Sequence, residues 1–417
     1  MKKKKYSIMI SFFVVLLAIV IASCSNNKTP SKKEDTGVYT LTIIASEGVS
    51  VSLGTYNTSL KKEEDVTKVT SKQYNKNEYA YISTSSLIEG ASFIGKWYQQ
   101  SGDYIVEKEG VVKESLAYKM TQDVTLYAFY KTPDQHVVTY LSSSITKNIF
   151  MIEIVSDGAK AKGFNPPHKK GFDFASWSED LSCVTSDMEV TPSYKHSMWT
   201  VFRDYWSFFL MGLGKTLLFS IISVFASLIL GAVVCFFRIA KNPLLNFIGT
   251  AYVEVIRGVP SLLLLLIIYS LVPRIALGPV NTEIVACVLA MFINSSAYVA
   301  EIYRSGIQAV DKGQMEASRA LGIGYWPTMF KVIIPQAIKN VLPSIGNELI
   351  MVIKETSLAS QIDAGIGELM SVKRQITAVT LINLEPYFII AIIYFIVTFS
   401  LSKCVRLVEK RLESHEQ

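Results

Sequence analysis

The feature that most constrains this chain is a series of apolar runs of membrane-spanning length, all in its second half. Met211–Phe237, Phe247–Leu271 (broken at "RGVP"), Glu283–Tyr303, a stretch between Val332 and Leu358, and Tyr387–Leu407 each reach the ~20 residues that a helix needs to cross a bilayer. Hydrocarbon offers backbone groups no water, so runs of this kind have to be helices. The whole chain agrees, with 50% hydrophobic and 18% charged residues and a mean hydropathy of +0.31, above that of soluble domains. The net charge of +6 sits beside the apolar runs rather than on one basic face with interleaved aromatics, which excludes nucleic acid and points to membrane lipid.

Positive charge sets the expected orientation. Arg238 and Lys241 follow the first run, Arg304, Lys312, Arg319 and Lys331 the third, and Lys403, Arg406, Lys410 and Arg411 the fifth. These clusters belong on the cytoplasmic side, while Lys373 and Arg374 run against the pattern and are outnumbered. About five spans then place the N-terminus outside and the C-terminus inside.

The first residues, "MKKKKYSIMISFFVVLLAIVIASCSNN", order a Lys cluster, an apolar core and a small-residue site as an export signal does. "IASC" resembles a bacterial lipobox, which implies cleavage and lipidation at Cys24 and a signal over residues 1–24. An uncleaved anchor helix is the alternative, because the run is close to spanning length. Residues 25–36 have linker composition.

Residues 37–196 are polar, with Thr/Tyr/Val-rich alternating runs such as "VYTLTI" and "VTLYAFY" that predict short strands. An imperfect repeat runs through them. Thr121, Asp123 and Tyr130 match Thr185, Asp187 and Tyr194, and Gly90, Phe93 and Trp97 match Gly171, Phe174 and Trp177 with a one-residue offset. Two modules, 37–131 and 137–196, follow. "IEIVSDGAKAKGFNPPHKKGFDFASWSED" resembles a Listeria-Bacteroides repeat of the internalin B type, which implies a β-grasp-like surface module; the first copy resembles it more weakly and carries a long insertion. A generic β-sandwich is the other reading. No alternation of strands and helices suggests a two-lobed receptor fused to the membrane part.

Several chemistries drop out. The four His residues, His136, His168, His196 and His415, show no metal-ligand spacing, and the lone Cys183 of the polar half reads as a small hydrophobe. "GLGKT", Gly212–Thr216, echoes a phosphate-binding loop, but Phe209 stands where that loop needs Gly. Lys215 is expected to snorkel to the outer interface beside Trp199 and Trp206. No catalytic pair is visible.

Between the third and fourth runs lies "MEASRALGIGYWPTMFKVIIP", Met315–Pro335. Glu316 to Leu321 suit a short helix, and Gly322 suits its left-handed C-terminal cap. Glu316, Ala317, Gly322, then nine residues, then Val332, Ile334 and Pro335 resemble the EAA motif of ABC importer permeases, with Ser318, Val332 and Ile334 as mild departures. "AYVEVIRGVPSLLLLLIIY", "AYVAEIYRSGIQAVDKGQMEASRALG" and "LPSIGNELIMVIKETSLAS" resemble the polar amino-acid permeases of the histidine and glutamine type, over residues 200–412. The resemblance implies a cytoplasmic ABC ATPase dimer that Glu316, Ala317 and Gly322 engage, an extracellular solute-binding protein, and a second permease subunit of the same or a related sequence. It implies no cofactor in this chain, with ATP and Mg on the partner ATPase.

Polar groups that hydrocarbon would reject mark the expected pathway: Asn294, Ser295 and Glu301 in the third run, and Asn347, Glu348, Lys354 and Glu355 in the fourth, where Pro335, Pro343 and Gly346 are expected to interrupt the helix. Glu301 with Arg304, or Lys354 with Glu355, are alternatively structural ion pairs. The sequence thus predicts a multi-domain chain: an all-α polytopic permease behind a β-rich extracytoplasmic region, in the bacterial plasma membrane. A membrane-anchored surface adhesion or sensing protein is the competing reading, and it leaves the EAA spacing without purpose.

Overall fold

The computed structural model describes residues 37–57, 62–67, 69–108, 114–272, 282–362 and 366–413. Cys24, the signal over 1–24 and the linker over 25–36 lie outside the described residues. The chain divides into two compact units that meet in sequence between His196 and Ser197.

The first unit is built from strands: β1 (Val38–Ala45), β2 (Val49–Asn57), β3 (Lys62–Thr67), β4 (Ser71–Asn75), β5 (Tyr79–Ser86), β6 (Ser92–Ser101), β7 (Tyr104–Glu107), β8 (Ser115–Lys119), β9 (Val124–Lys131), β10 (Gln135–Leu141), β11 (Ile149–Ser156), β12 (Asp173–Trp177), β13 (Met188–Val190) and β14 (Pro192–Lys195). No helix occurs among the described residues of 37–196. An eight-stranded sheet runs β13-β10-β11-β7-β6-β9-β1-β4, so strands of both repeat segments share it, beside sheets β3-β2-β5-β8 and β12-β14. Alternation explains the packing: in β9 Val124, Leu126 and Ala128 turn inward and join Leu41, Ile43, Trp97 and Met120 in one core.

The two repeat segments use the same contacts. Strand β1 pairs parallel with β9, and β10 pairs parallel with β13. Asp123 accepts the Thr40 N–H at 2.8 Å, and Asp187 accepts the Val137 N–H at 2.8 Å. Phe93 lies opposite Tyr130 and Phe174 opposite Tyr194. Each Phe also touches its Trp, with ring centroids 5.9 Å apart for Phe93–Trp97 and 5.3 Å for Phe174–Trp177. In each segment one Phe touches both the Trp and the Tyr.

The second unit is helical: α1 (Met198–Ile239), α2 (Pro243–Gly258), α3 (Ser261–Leu271), α4 (Thr282–Gln308), α5 (Lys312–Ala320), α6 (Tyr325–Thr328), α7 (Ile334–Glu355), α8 (Ser371–Thr380) and α9 (Leu384–Glu413). Among the described residues, α1, α4 and α9 are long and apolar enough to cross a membrane, and α2 with α3 makes a fourth crossing if this pair, bent by 107° at its break, counts as one. Helix α7, interspersed with Lys339, Asn347, Glu348 and Lys354, falls short of that standard.

Two expectations need correction. Helix α1 begins 13 residues before Met211, because Ser197 and Thr200 form a reciprocal capping box. Its 42 residues make a rod of roughly 63 Å, about twice the hydrocarbon thickness. Helix α7 runs unbroken through Pro343 and Gly346. The irregularity lies outside it, in a π turn at Met329–Ile333 and a 3-10 turn at Thr356–Gln361. Gly346 serves packing instead, since a Cβ there would stand 2.6 Å from Val405 of α9. Lys215 has a partner within the protein that the sequence did not show: its Nζ lies 3.3 Å from the Ile366 carbonyl. "GLGKT" likewise holds the segment before α8. Thr216 Oγ1 accepts the Leu369 N–H at 3.1 Å, and a Cβ on Gly212 would meet Leu369 Cα at 2.9 Å.

Candidate functional site

Two groups of residues stand out in the helical unit. The first is the connection from α4 to α7. Asp311 caps α5 by accepting the Gly313 N–H, and the helix ends in a left-handed turn at Gly322, φ +81°. There the Gly322 N–H reaches the Arg319 carbonyl at 3.0 Å and the Ile323 N–H reaches Ser318 at 3.1 Å. Both bonds satisfy carbonyls that the helix end leaves open. Ser318 is buried and anchors α5, while Glu316, Ala317 and Gly322 are exposed. They lie with Leu321, 80% exposed, and Tyr325, 41% exposed, so this short helix exposes a mixed acidic and apolar face.

The second group is polar and lies between α4 and α7. Asn294 Nδ2 donates to Glu355 Oε2 at 3.0 Å, and Ser261 Oγ, at the start of α3, donates to Glu355 Oε1 at 3.1 Å. Ser295 Oγ lies 2.7 Å from Glu348 Oε1 and 3.2 Å from Ser227 Oγ of α1. Asn294, Ser295 and Glu348 are at most 9% exposed. Glu348 and Glu355, seven residues apart, share one face of α7 about 10 Å from each other along the axis. Pairing each carboxylate with hydroxyl or amide donors is what makes such burial tolerable. The break between α2 and α3 puts the positive end of a half-helix beside Glu355.

Of the other pathway candidates, Asn347 and Lys354 form a second, exposed stripe on α7. Glu301 belongs elsewhere: it pairs with Arg304 of its own helix and Arg238 at the end of α1, tying α1 to α4. The void among Ser261, Leu265, Asn294 and Glu355 is about 10 Å³, room for one water at most. Among the described residues no group of three His, Cys, Asp or Glu could hold a metal ion.

One residue escaped the sequence reading. Glu368 is fully buried, and its carboxylate accepts the Met370 and Ser371 N–H groups at 2.7 Å each, capping α8. An acidic residue just before the periodic run "SVKRQITAV" is the signal that points to it.

A helical bundle with paired carboxylates between its long helices and a short, solvent-facing helix between two of them describes the membrane component of a transporter. Residues 223–414 match the family described as the binding-protein-dependent transport system inner membrane component. Two Bacillus subtilis (strain 168) proteins are similar over half the chain. The probable glutamine ABC transporter permease protein GlnM is 38% identical over 214 residues, 51% of this chain and 97% of its own length. The arginine transport system permease protein ArtQ is 39% identical over 209 residues, 50% of this chain and 94% of its own length. A crystal structure of an amino acid ABC transporter with histidines is 40% identical, covers 52% of this chain and 99% of that one, and has a TM-score of 0.48. The chain belongs to the binding-protein-dependent transport system inner membrane component family. It is a permease subunit of an ABC importer, whose ATP hydrolysis takes place on a separate subunit.

Proposed function

We propose that this permease moves polar amino acids inward across the bacterial plasma membrane, in a complex with a cytoplasmic ABC ATPase dimer that holds ATP and Mg, an extracellular solute-binding protein and a second permease subunit. The observation that carries the substrate class is the match to glutamine and arginine permeases over nearly their whole length. Asn294 and Glu355 suit such a solute, whose ammonium and carboxylate both need partners where water is excluded. Ser295, Glu348, Asn347 and Lys354 extend the polar track on either side, and Glu301 fixes the helices that border it. Glu316, Ala317 and Gly322 form the contact through which ATPase closure reaches the helices.

Five spans, with α7 as the fourth, place the β-rich unit outside and α5 inside, in keeping with the Arg and Lys clusters. Lipidation at Cys24 and internalin-type modules of β-grasp-like fold complete this reading of residues 1–196. The test is uptake of labelled glutamine, arginine and histidine by a strain lacking the gene, with and without the gene restored. Loss of uptake of at least one, recovered on complementation, is expected; unchanged uptake of all polar amino acids refutes the assignment.

A further inference from the structure

The β-rich unit has an open groove of about 460 Å³ between its two repeat segments. The first segment supplies the end of β1 (Ile44, Ala45), the following Ser46 and Glu47, and Ile88; the second supplies β11 from Met151 to Ile154 and the turn at Lys162 and Gly163. The lining is apolar and charged together. Ile44, Ile88 and Met151 are 44%, 45% and 41% exposed, and three charged residues, Glu47, Glu153 and Lys162, stand among them.

Glu153 is held in place. Its Oε1 accepts the Lys162 N–H at 2.7 Å, and its Oε2 accepts the Gly163 N–H at 3.1 Å and the Tyr140 hydroxyl at 2.7 Å. Burial, then the neighbouring Glu153, raises the Tyr140 hydroxyl above its ordinary pKa, as befits a donor to a charged carboxylate. A carboxylate already fixed by three donors meets a cation without the entropy cost of ordering a free side chain. Glu47 and Lys162, both exposed on the rim, add one further charge of each sign.

We propose that this groove binds a short apolar peptide with free termini, its ammonium between Glu153 and Glu47, its carboxylate at Lys162, and its side chains on Ile44, Ile88 and Met151. The volume falls in the ~300–1,000 Å³ range of small-ligand sites and exceeds what one free amino acid fills. A lining that carries charges of both signs beside apolar surface suits a chain that is charged at its ends and apolar between them.

The test is calorimetric titration of the full-length protein with tri-leucine, N-acetyl tri-leucine, tri-leucine amide and free leucine. Tri-leucine binds, and acetylation or Glu47→Gln weakens it tenfold or more. Lys162→Met weakens tri-leucine but leaves the already weaker amide unchanged. Leucine binding as tightly as tri-leucine, indifference to acetylation, or wild-type affinity in both rim variants overturns the proposal.

Discussion

Replacing Gly322 isolates one physical quantity, the cost of a positive φ. A Cβ at 322 would meet nothing within 4 Å, so a side chain there brings no clash, only backbone strain at φ +81°. That strain is about 1–2 kcal/mol for an L-residue and larger for a β-branched one. The turn is held by two backbone bonds, Gly322 to Arg319 and Ile323 to Ser318, which contribute ~0.5–1.5 kcal/mol each. The opposing amounts are comparable, so Gly322→Val should release the turn in a large fraction of molecules and swing Leu321 and Tyr325 away from their present face. Gly322→Asn should keep it, because Asn tolerates the left-handed region. The assay is labelled amino-acid uptake in proteoliposomes, together with retention of the ATPase subunit on purification. Val is expected to lose uptake several-fold at normal membrane abundance, and Asn to hold most of it. Equal loss in both variants, or full uptake in Val, would refute the reasoning.

Ser318→Ala removes a hydroxyl from a buried position but keeps the turn's carbonyl and raises helix propensity; uptake within twofold of wild type is expected, and a larger loss would show that the hydroxyl itself matters. Glu355→Gln keeps acceptor and shape for Asn294 and Ser261 while removing charge, so transport should fall tenfold or more with little change in thermal unfolding. Gly212→Val drives a side chain into Leu369 and Val372, and overpacking of this kind costs about 1–3 kcal/mol; a lowered melting temperature is expected, with unaltered ATP affinity of the assembled complex. Asp187 is held below the usual carboxylate range by the Val137 N–H first and by Lys131 after it. Its folded pKa is depressed, so the stability it contributes is present above about pH 4 and is lost as pH falls through the folded value. Asp187→Asn should flatten the acid limb of β-unit unfolding, and an unchanged limb would show that Asp187 contributes nothing there.

What the sequence disclosed was mainly local. Gly322 could be read because a positive φ at a helix end selects Gly from a single position, and Asn294 and Glu355 because polar groups in apolar runs need each other wherever the helices bring them. Asp123 and Asp187 were legible as a matched pair, but their shared role of holding the edge of a parallel strand pair was not, since β1 and β9 are brought together across more than 80 residues. The roles of Gly212, Lys215 and Thr216 depend on contacts with residues about 150 positions away, which no window on the chain contains. Pro343 misled for a related reason. Its missing N–H suggests a break, but α7, packed against α4 and α9, continues as one helix through it.

The π turn at Met329–Ile333 sets the rotational phase of everything after it in α7. It carries one residue more than an α-helical turn would, and one residue corresponds to about 100° of rotation. That is also the angle between the Glu348/Glu355 stripe and the Asn347/Lys354 stripe, which follow one another in sequence. Winding Met329–Ile333 as regular α-helix at constant length would therefore carry each later residue one position forward, bringing Asn347 and Lys354 to the places now held by Glu348 and Glu355 and exchanging an acidic face toward Asn294 for an amide and an ammonium. In this helix the sign of charge facing the bundle is encoded as a phase, by a register five residues long and about four turns before the site.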